Sequence, residues 1–534
     1  MNSLVTAKAP KAMPGWIIEI ERPPAPLCGA NGMRFGPDGM LYVAQVFSSQ
    51  VGAIDIASGS ISDVLPVGGP VVGPDDIAFD SHGVMYMTEV MNKRVAVREP
   101  GGRLRVIAED LPVANGITIE SDRIFIDEFR PGGRLLEIFA DGRAPRVIAS
   151  DLVTPNGLAM GPDGALYFPQ VAAGEIWRVS PDGGLPKRFI SGLAAPTAVK
   201  FSPKGELHVV EAGSGDVARI DIQTATRTRV STVRPGIDNL AFSTDGRLYI
   251  SHYIDGGVAE IERDGHERVI ARGGLLGPFG LSVAENGTLY VADGMSFAVF
   301  GANGSQNARP ALLINADFPG FVRGIAAAPD GGCYLATSGG VVARYREEGT
   351  MVVLATSLGN LSGIAMSARG SLLACDTDGG CLLEITTTGK VSTIARGLDA
   401  PVSIAPLPDG SCYVSESAAG RVVHIANGSA TAVIGGLQNP QGLAVLGDDL
   451  FVLDSDARTL LVHQGGRTTV VATDLAVLTG PVFAQHVLPG IDELLPGPLR
   501  PFPDLAPCPD GRILVGLNGN GSVVSVRADV SSAS

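Results

Sequence analysis

Six oxygen-bearing side chains recur about every 40 residues in the first half of the chain, each at the start of a short apolar segment. They are Asn31, Asp75, Asn115, Asn156, Thr197 and Asp238. Carboxylate and amide oxygens are the ligands that Ca²⁺ takes in proteins, in sets of about six to eight. If the fold brings these side chains together, they would form a site for a hard divalent cation. The set contains no His or Cys, which disfavours zinc and copper.

The second half of the chain repeats the same pattern with other residues at this position. The equivalents are Phe279, Arg323, Ser362, Val402, Gln441 and Pro503. The repeat therefore does not require Asn or Asp here, although Asn-Gly alone is an ordinary turn signal. The carboxylates of Asp75 and Asp238 would neutralise a Ca²⁺ ion bound among the first-half side chains. Mg²⁺ or Mn²⁺ is the alternative ion, and a water-filled channel is the alternative without metal.

The elements that position these residues are short strands separated by Gly-containing turns such as GPDG. The turns end at Gly39, Gly83, Gly164, Gly205, Gly246, Gly287, Gly331, Gly370, Gly410 and Gly511, with degenerate copies at Glu120 and Leu446. A spacing of about 40 residues is typical of four-stranded propeller blades. Because twelve blades in one ring leave a wide central hole, we predict an all-β fold of two tandem six-bladed β-propellers, at residues 24–278 and 279–534.

The last repeat supplies only three strands. The segment GWIIEI, residues 15–20, reads as a strand that belongs to no other blade. Closing a ring with strands from both termini removes exposed strand edges. We therefore predict that this strand completes the second propeller, whose role is structural or docking. The insertion at 476–501 is a candidate lid or domain contact.

A second polar set marks the end of the strand after each turn in the first half. Its members are Gln45, Glu89, Glu128, Gln170, Glu211 and His252. Imidazole beside a metal-bound water or a carbonyl is a common general acid or base, so His252 is the candidate proton-transfer residue. Glu89, Glu128 and Glu211 are candidates to orient water or substrate. The alternative for each is a purely structural role at the rim.

The sequence PNGLAMGPDGALYF at 155–168, with the polar axial set, resembles the six-bladed calcium-dependent hydrolases of the gluconolactonase, regucalcin, diisopropyl fluorophosphatase and paraoxonase type. The strand ends MYMTE and LYFPQ also resemble virginiamycin B lyase. The resemblance implies an acid on one blade, Asn on the blades two and three further on, and a second acid four blades further on. Asp75, Asn156 and Asp238 match this pattern, and Thr197 occupies a position where Asn is expected. The adjacent Asp238 and Asn239 are similar to paired paraoxonase ligands. The resemblance implies a metal that polarises a carbonyl or activates water to open a lactone or ester. From this resemblance we predict that Asp75, Asn115, Asn156 and Asp238 bind Ca²⁺, with Asn31 or water completing the coordination.

Three other functions fit the same residues. A lyase would open a cyclic ester by elimination at the same metal, a metal-free enzyme resembling strictosidine synthase would use a glutamate as base, and a scaffold would catalyse nothing. The net charge of −15 argues against nucleic acid or an anionic membrane as partner. We expect a small neutral or cationic substrate. The sequence shows no signal peptide and no apolar run of about 18 residues, so we expect a cytoplasmic protein.

Overall fold

The computed structural model describes residues 8–66, 69–308, 321–477 and 502–530. Within these ranges the only helical element is a 3-10 turn, Val171–Ala173, and no helix is long and apolar enough to cross a membrane. The chain divides into two compact units. One is Ala25–Gly274, and the other combines the segment ending at Pro24 with the chain from Leu275. Residues 478–501 of the insertion predicted as a lid or domain contact lie outside the described residues.

The first unit contains six antiparallel sheets of four strands each, with the strands of every sheet in chain order. The first strands, here called inner strands, are Ala30–Phe35, Pro74–Phe79, Ala114–Glu120, Ala159–Met160, Pro196–Phe201 and Ile237–Phe242. The second strands are Leu41–Gln45, Met85–Glu89, Arg123–Glu128, Leu166–Gln170, Leu207–Glu211 and Leu248–His252. The third strands are Gln50–Ile54, Arg94–Arg98, Gly133–Ile138, Glu175–Val179, Asp216–Ile220 and Val258–Ile261. The outer strands are Ile61–Leu65, Leu104–Ala108, Arg146–Leu152, Lys187–Ser191, Arg227–Thr232 and Glu267–Ala271.

The second unit also contains six sheets, which we number as blades 7 to 12. Its inner strands are Leu281–Val283, Val322–Ala327, Leu361–Met366, Pro401–Pro406, Pro440–Leu446 and Leu505–Pro507. The second strands are Leu289–Ala292, Cys333–Thr337, Leu372–Asp376, Cys412–Glu416, Asp449–Asp454 and Ile513–Leu517. The third strands are Phe297–Phe300, Val342–Tyr345, Cys381–Ile385, Arg421–Ala426, Thr459–Gln464 and Ser522–Ala528. The outer strands are Gln306–Ala308, Met351–Ala355, Val391–Arg396, Ser429–Ile434, Arg467–Thr473 and, for blade 12, Trp16–Arg22.

The inner strands form a closed ring in each unit. Every inner strand contacts the next one, and the ring closes where Ile237–Phe242 meets Ala30–Phe35 in the first unit. In the second unit Leu505–Pro507 meets Leu281–Val283. Each unit is therefore a six-bladed propeller, and the predicted fold class is confirmed.

The N-terminal strand closes the second propeller, as predicted. Trp16–Arg22 pairs antiparallel with Ser522–Ala528, with Trp16 opposite Ala528 and Ile20 opposite Val524. A further short strand, Lys11–Ala12, adds a fifth strand to blade 11 beside Arg467–Thr473. The sequence analysis did not anticipate this fifth strand.

The turn between inner and second strands explains the recurring motif PDG-x-LY. In blade 1 the Asp38 carboxylate accepts the N–H of Met40 at 3.1 Å and the hydroxyl of Tyr42 at 2.9 Å. Gly39 has a φ of +80°, which L side chains rarely adopt. The motif therefore fixes a tight turn and the following strand together, at the end of the blade opposite the six oxygen-bearing residues.

The hydrophobic core lies between neighbouring blades. Where the first ring closes, Met33 and Val43 of blade 1 pack with Tyr249 and Val258 of blade 6, all four fully or almost fully buried. The face-to-face packing of two sheets buries apolar side chains from both. This packing leaves the narrow space around each axis to the inner strands.

Candidate metal site of the first propeller

The six oxygen-bearing residues, which we call the axial ring, lie at one end of the inner strands of the first propeller. Five of them are 4–8 % exposed, and Asp238 is half-buried. Because each inner strand contacts the next around the axis, the backbone positions of these six residues surround the axis. The structure therefore places the predicted ligands Asn31, Asp75, Asn115, Asn156 and Asp238 in a single ring.

The glycine of each Asn-Gly pair is required by crowding at the axis. A Cβ atom at Gly32 would lie 2.3 Å from Asp76 Oδ1, and one at Gly116 would lie 2.7 Å from the Gly157 nitrogen. The second propeller keeps the same constraint, since a Cβ at Gly324 would lie 2.3 Å from the Ser362 carbonyl oxygen. It precedes that glycine with Arg323 rather than Asn. The fold therefore demands the glycine and leaves the Asn free for another role.

The two ring carboxylates sit in an environment that disfavours their charge. Burial raises the pKa of Asp75 well above its ordinary value, and the charges of Asp238 and Asp76 raise it further. Burial raises the pKa of Asp238 to about 7, with a further increase from Asp76 and an opposing decrease from Lys200. A cation bound between the two carboxylates would offset the cost of burying their charges and would reduce the repulsion between them. The ring is thus electrostatically suited to a cation.

Two polar atoms at the ring lack hydrogen-bond partners among the described residues. Asn31 Oδ1 is buried and accepts no hydrogen bond, and the hydroxyl of Tyr253 is buried without a partner. Burial, and then the Asp238 charge, raise the pKa of the Tyr253 phenol. A buried oxygen with no partner costs about 1–3 kcal/mol, and a bound ion, water or substrate at the ring would satisfy these two atoms.

Hydroxyl groups of the second strands hold the ring backbone in place. Thr88 accepts the N–H of Asp76 at 3.1 Å and donates to the carbonyl of Asn115 in the next blade. Ser251 accepts the N–H of Asn239 at 3.1 Å and donates to the carbonyl of Asn31 at 2.7 Å. Each hydroxyl therefore links the ring positions of two neighbouring blades.

Below the ring lies a group of charged and polar side chains, which we call the axial hub. It comprises Asp76, Lys200, Asn239 and Arg34. Arg34 is half-buried and the others are buried. Lys200 Nζ lies 3.4 Å from Asp76 Oδ2, and Asn239 Nδ2 donates to Asp76 Oδ1 at 3.4 Å. Arg34 donates to the carbonyls of Ile77 and Ile117 at 3.2 and 3.4 Å. The hub joins five of the six blades at the axis.

The second polar set forms a brace at the rim. Its side-chain oxygens accept backbone N–H groups from the loop that leads into the inner strand of the same blade. These bonds are Cys28 to Gln45, Val72 to Glu89, Thr154 to Gln170 and Ala194 to Glu211, at 2.7–3.1 Å. The second propeller has the same bonds to Asp293, Glu416 and Asp454. The brace is thus a feature of both propellers.

The three glutamates predicted to orient water or substrate also pair with arginines. Glu89 binds Arg94 at 2.8 Å and Glu128 binds Arg134 at 2.8 Å. Glu211 binds Arg227 at 2.5 Å. Glu416 of the second propeller binds Arg421 in the same way. These contacts account for the glutamates structurally, and their predicted role toward substrate stays a prediction.

Replacing Glu89 and Glu416 separately with Ala tests that role. Each change removes a buried carboxylate from an N–H and an arginine, so each should lower the free energy of unfolding by about 2 kcal/mol in urea titrations. If the two glutamates are equivalent braces, the Glu89 variant keeps whatever rate of lactone or ester opening the original chain has. A loss of rate of more than about a hundredfold in the Glu89 variant, at equal stability loss, would instead make it catalytic.

Blade 6 departs from the brace at His252. The loop residue that would donate to it is Pro235, which has no N–H, and the N–H of the next residue, Gly236, donates to the Ala212 carbonyl at 2.8 Å. His252 is fully buried, and its backbone lies opposite Ile237, the neighbour of Asp238. His252 therefore lies next to the axial ring, at a position that four of the other five blades of the first propeller use for a brace.

The donors of the ring match the chemistry of calcium better than that of transition metals. Among the residues that the structure describes, no group of three or more His, Cys, Asp or Glu side chains could hold a metal ion, so an ion at the ring would also depend on amide oxygens. The ring instead combines the two carboxylates of Asp75 and Asp238 with amide oxygens, of which Asn31 Oδ1 has no other partner. Carboxylate and amide oxygens are ligands of a hard cation. The residues present therefore fit the implied ion.

No family model and no curated protein matches the chain. A virginiamycin B lyase structure from Staphylococcus aureus is similar over 52% of this chain and 96% of its own, with 16% identity and a TM-score of 0.39. A Xanthomonas campestris gluconolactonase covers 46% of this chain and 93% of its own, with 16% identity and a TM-score of 0.38. A calcium-binding regucalcin from Agrobacterium tumefaciens covers 43% and 83%, with 18% identity and a TM-score of 0.37. The chain is thus structurally similar to propellers of the gluconolactonase, regucalcin and virginiamycin B lyase type, and the similarity concerns the fold alone.

Proposed function

We propose that the first propeller binds one divalent cation, calcium, in the axial ring and opens a lactone or other ester of a small organic molecule. One observation carries this proposal: the ring gathers oxygen ligands that the fold does not require, and burial disfavours the negative charges of its carboxylates Asp75 and Asp238, which a bound cation would stabilise. The second propeller, built on the same repeat, keeps the ring glycines without these ligands. The ring residues therefore belong to function rather than to architecture. The lactone class follows from the sequence resemblance of the repeat.

The residues that would hold the ion are Asp75, Asn115, Asn156 and Asp238, with Asn31 or water. When bound, the ion supplies polarisation of a substrate carbonyl and activation of water. Mg²⁺ and Mn²⁺ bind similar oxygen ligands, but Mg²⁺ demands a tighter octahedron, and a ring of six separate side chains favours the larger Ca²⁺.

The charge around the axis supports a divalent ion. Five ionisable side chains lie on the inner strands between the ring position and the third residue after it, and a sixth, Asp127, accepts the N–H of Gly116 on the inner strand of blade 3 at 3.2 Å. They are Asp75, Asp76, Asp127, Asp238, Arg34 and Lys200. Four carboxylates against two cations leave a formal charge of −2 when all are ionised, which one divalent cation neutralises. Even with the ion bound, the axis carries no net positive charge that would attract an anionic substrate, so a neutral or cationic substrate is favoured.

His252 is the residue that we assign to proton transfer. It would accept a proton from the attacking water and return it to the leaving oxygen, which is the usual task of an imidazole at neutral pH. The unpartnered Tyr253 hydroxyl lies on the same blade and is positioned near Asp238, where it would donate a hydrogen bond to a substrate oxygen. These two residues would orient the substrate above the ring.

The test is a screen of γ- and δ-lactones and aryl esters with the purified full chain, in calcium and in chelator. We expect ring opening in calcium, a loss of rate of at least about a hundredfold in chelator, and recovery on adding calcium back. In ¹⁸O-labelled water, a carboxylate product that contains ¹⁸O indicates hydrolysis. An unsaturated product without ¹⁸O indicates elimination and a lyase. Bound calcium with no turnover of any substrate would refute the enzyme and favour a scaffold.

A further inference from the structure

The axial hub contains two cations that the propeller architecture does not need. The third residue after each ring position is Arg34 in blade 1 and Lys200 in blade 5. In the second propeller all six equivalents are small and uncharged: Ser282, Ala326, Ala365, Ala405, Ala444 and Ala506. The same strands therefore pack around an axis without a cation at this level. Like the ring carboxylates, the two cations occur in the first propeller alone.

Hydrogen bonding alone does not explain Lys200. The Asp76 carboxylate already accepts the N–H of Ile77 at 2.9 Å, the N–H of Ile117 at 3.2 Å and the amide of Asn239 at 3.4 Å. Lys200 is 4 % exposed and Asp76 is 1 % exposed, so the pair is withdrawn from water. Burying an ammonium group is costly, and a buried ion pair usually stabilises a protein no more than hydrophobic residues of similar volume would. What Lys200 adds that a neutral residue could not is a fixed positive charge under the ring.

We infer that the charges of Lys200 and Asp76 together determine which cation charge the axial ring binds best, so that the site prefers divalent over trivalent cations. This inference rests on the metal site of the proposed function and not on its reaction. With Lys200 present, the formal charge around the axis is −2. Without it the charge becomes −3, which favours a trivalent ion, because the attraction grows with the product of the charges. Lys200 is thus a specificity-determining residue that does not touch the ion.

Four variants separate charge from structure. Lys200→Met gives a formal charge of −3, Asp76→Asn gives −1, and the double variant restores −2 with both groups absent. Lys204→Met removes an exposed lysine on the turn after the same strand and serves as the matched control. Affinities for Ca²⁺ and for Tb³⁺, which has a similar radius, are measured by titration calorimetry and terbium luminescence.

We expect Lys200→Met to raise the ratio of Tb³⁺ to Ca²⁺ affinity by at least about tenfold. Asp76→Asn should weaken Ca²⁺ binding by about tenfold, and the double variant should return the affinity ratio to within about twofold of the original chain. Lys204→Met should leave the ratio unchanged. If Lys200→Met fails to fold by circular dichroism, Lys200→Gln gives the same charge with a polar side chain.

An unchanged ratio in the Lys200 variant would overturn the inference. So would a double variant that fails to restore the ratio, because the effect would then be structural. If the original chain binds neither ion, the inference and the metal site both fail. If it binds Ca²⁺ with the expected selectivity but opens no lactone, the proposed reaction fails while the inference holds.

Discussion

Replacing Asp75 and Asp238 together with Ala should abolish calcium binding by the chain. The purified protein should carry one calcium per chain by elemental analysis, and the double variant should carry none, with affinity reduced by at least about a hundredfold. The physical reason is that these are the only carboxylates of the ring, and each carries a pKa raised by burial. Without calcium the double variant should unfold at a higher temperature, since the repulsion between the two carboxylates is gone.

A buried axial carboxylate of the second propeller supplies the control. Asp504 is also 8 % exposed, as Asp75 is, and burial raises its pKa to about 7. It accepts hydrogen bonds from the Ser403 hydroxyl at 3.0 Å and from the N–H of Leu281 at 3.4 Å. Asp504→Asn should therefore retain the calcium. Retention of calcium by the Asp75 and Asp238 variant, or its loss from the Asp504 variant, would refute the assignment of the ion to the axial ring.

The sequence predicts the fold well because its signals are local. The PDG-x-LY motif is satisfied within five residues, by Asp38 and Tyr42, and its recurrence counts the blades. The closing strand was predictable because 15–20 was the one strand without a blade. The fifth strand at Lys11–Ala12 was not predictable, since two residues carry no periodic pattern and the strand forms through pairing with distant residues.

The site could be predicted only in part, because its side-chain partners are distant in sequence. Lys200 meets Asp76 across 124 positions, and Asn239 meets Asp76 across 163. No local sequence pattern predicts a contact between residues so far apart in the chain. A comparison of equivalent positions in the two halves does contain the signal, since it would have shown Arg34 and Lys200 against alanine or serine. The same comparison applied to the rim would have shown that Glu416 matches Glu89 and that acids there are common to both propellers.

His252 is the exception at the rim, and its replacement should affect catalysis rather than the metal. His252→Gln should lower kcat by about a hundred- to ten-thousandfold, the usual contribution of a general acid or base, and leave the calcium affinity within about twofold. The basis is its position: Pro235 cannot donate the bond that holds Gln45 or Glu211 in other blades, so the fold gives no reason for a brace here.

A second buried histidine shows whether the loss is specific. His208 lies on the second strand of blade 5, next to Phe242, with Nδ1 at 3.1 Å from the Glu206 carbonyl oxygen. It sits in mid-strand, away from the ring, so His208→Gln should cost stability without a matching loss of kcat. The pH profile separates the roles further, because only loss of the proton-transfer group removes a limb of the kcat profile. Equal kcat in the two variants would refute the role of His252 in proton transfer.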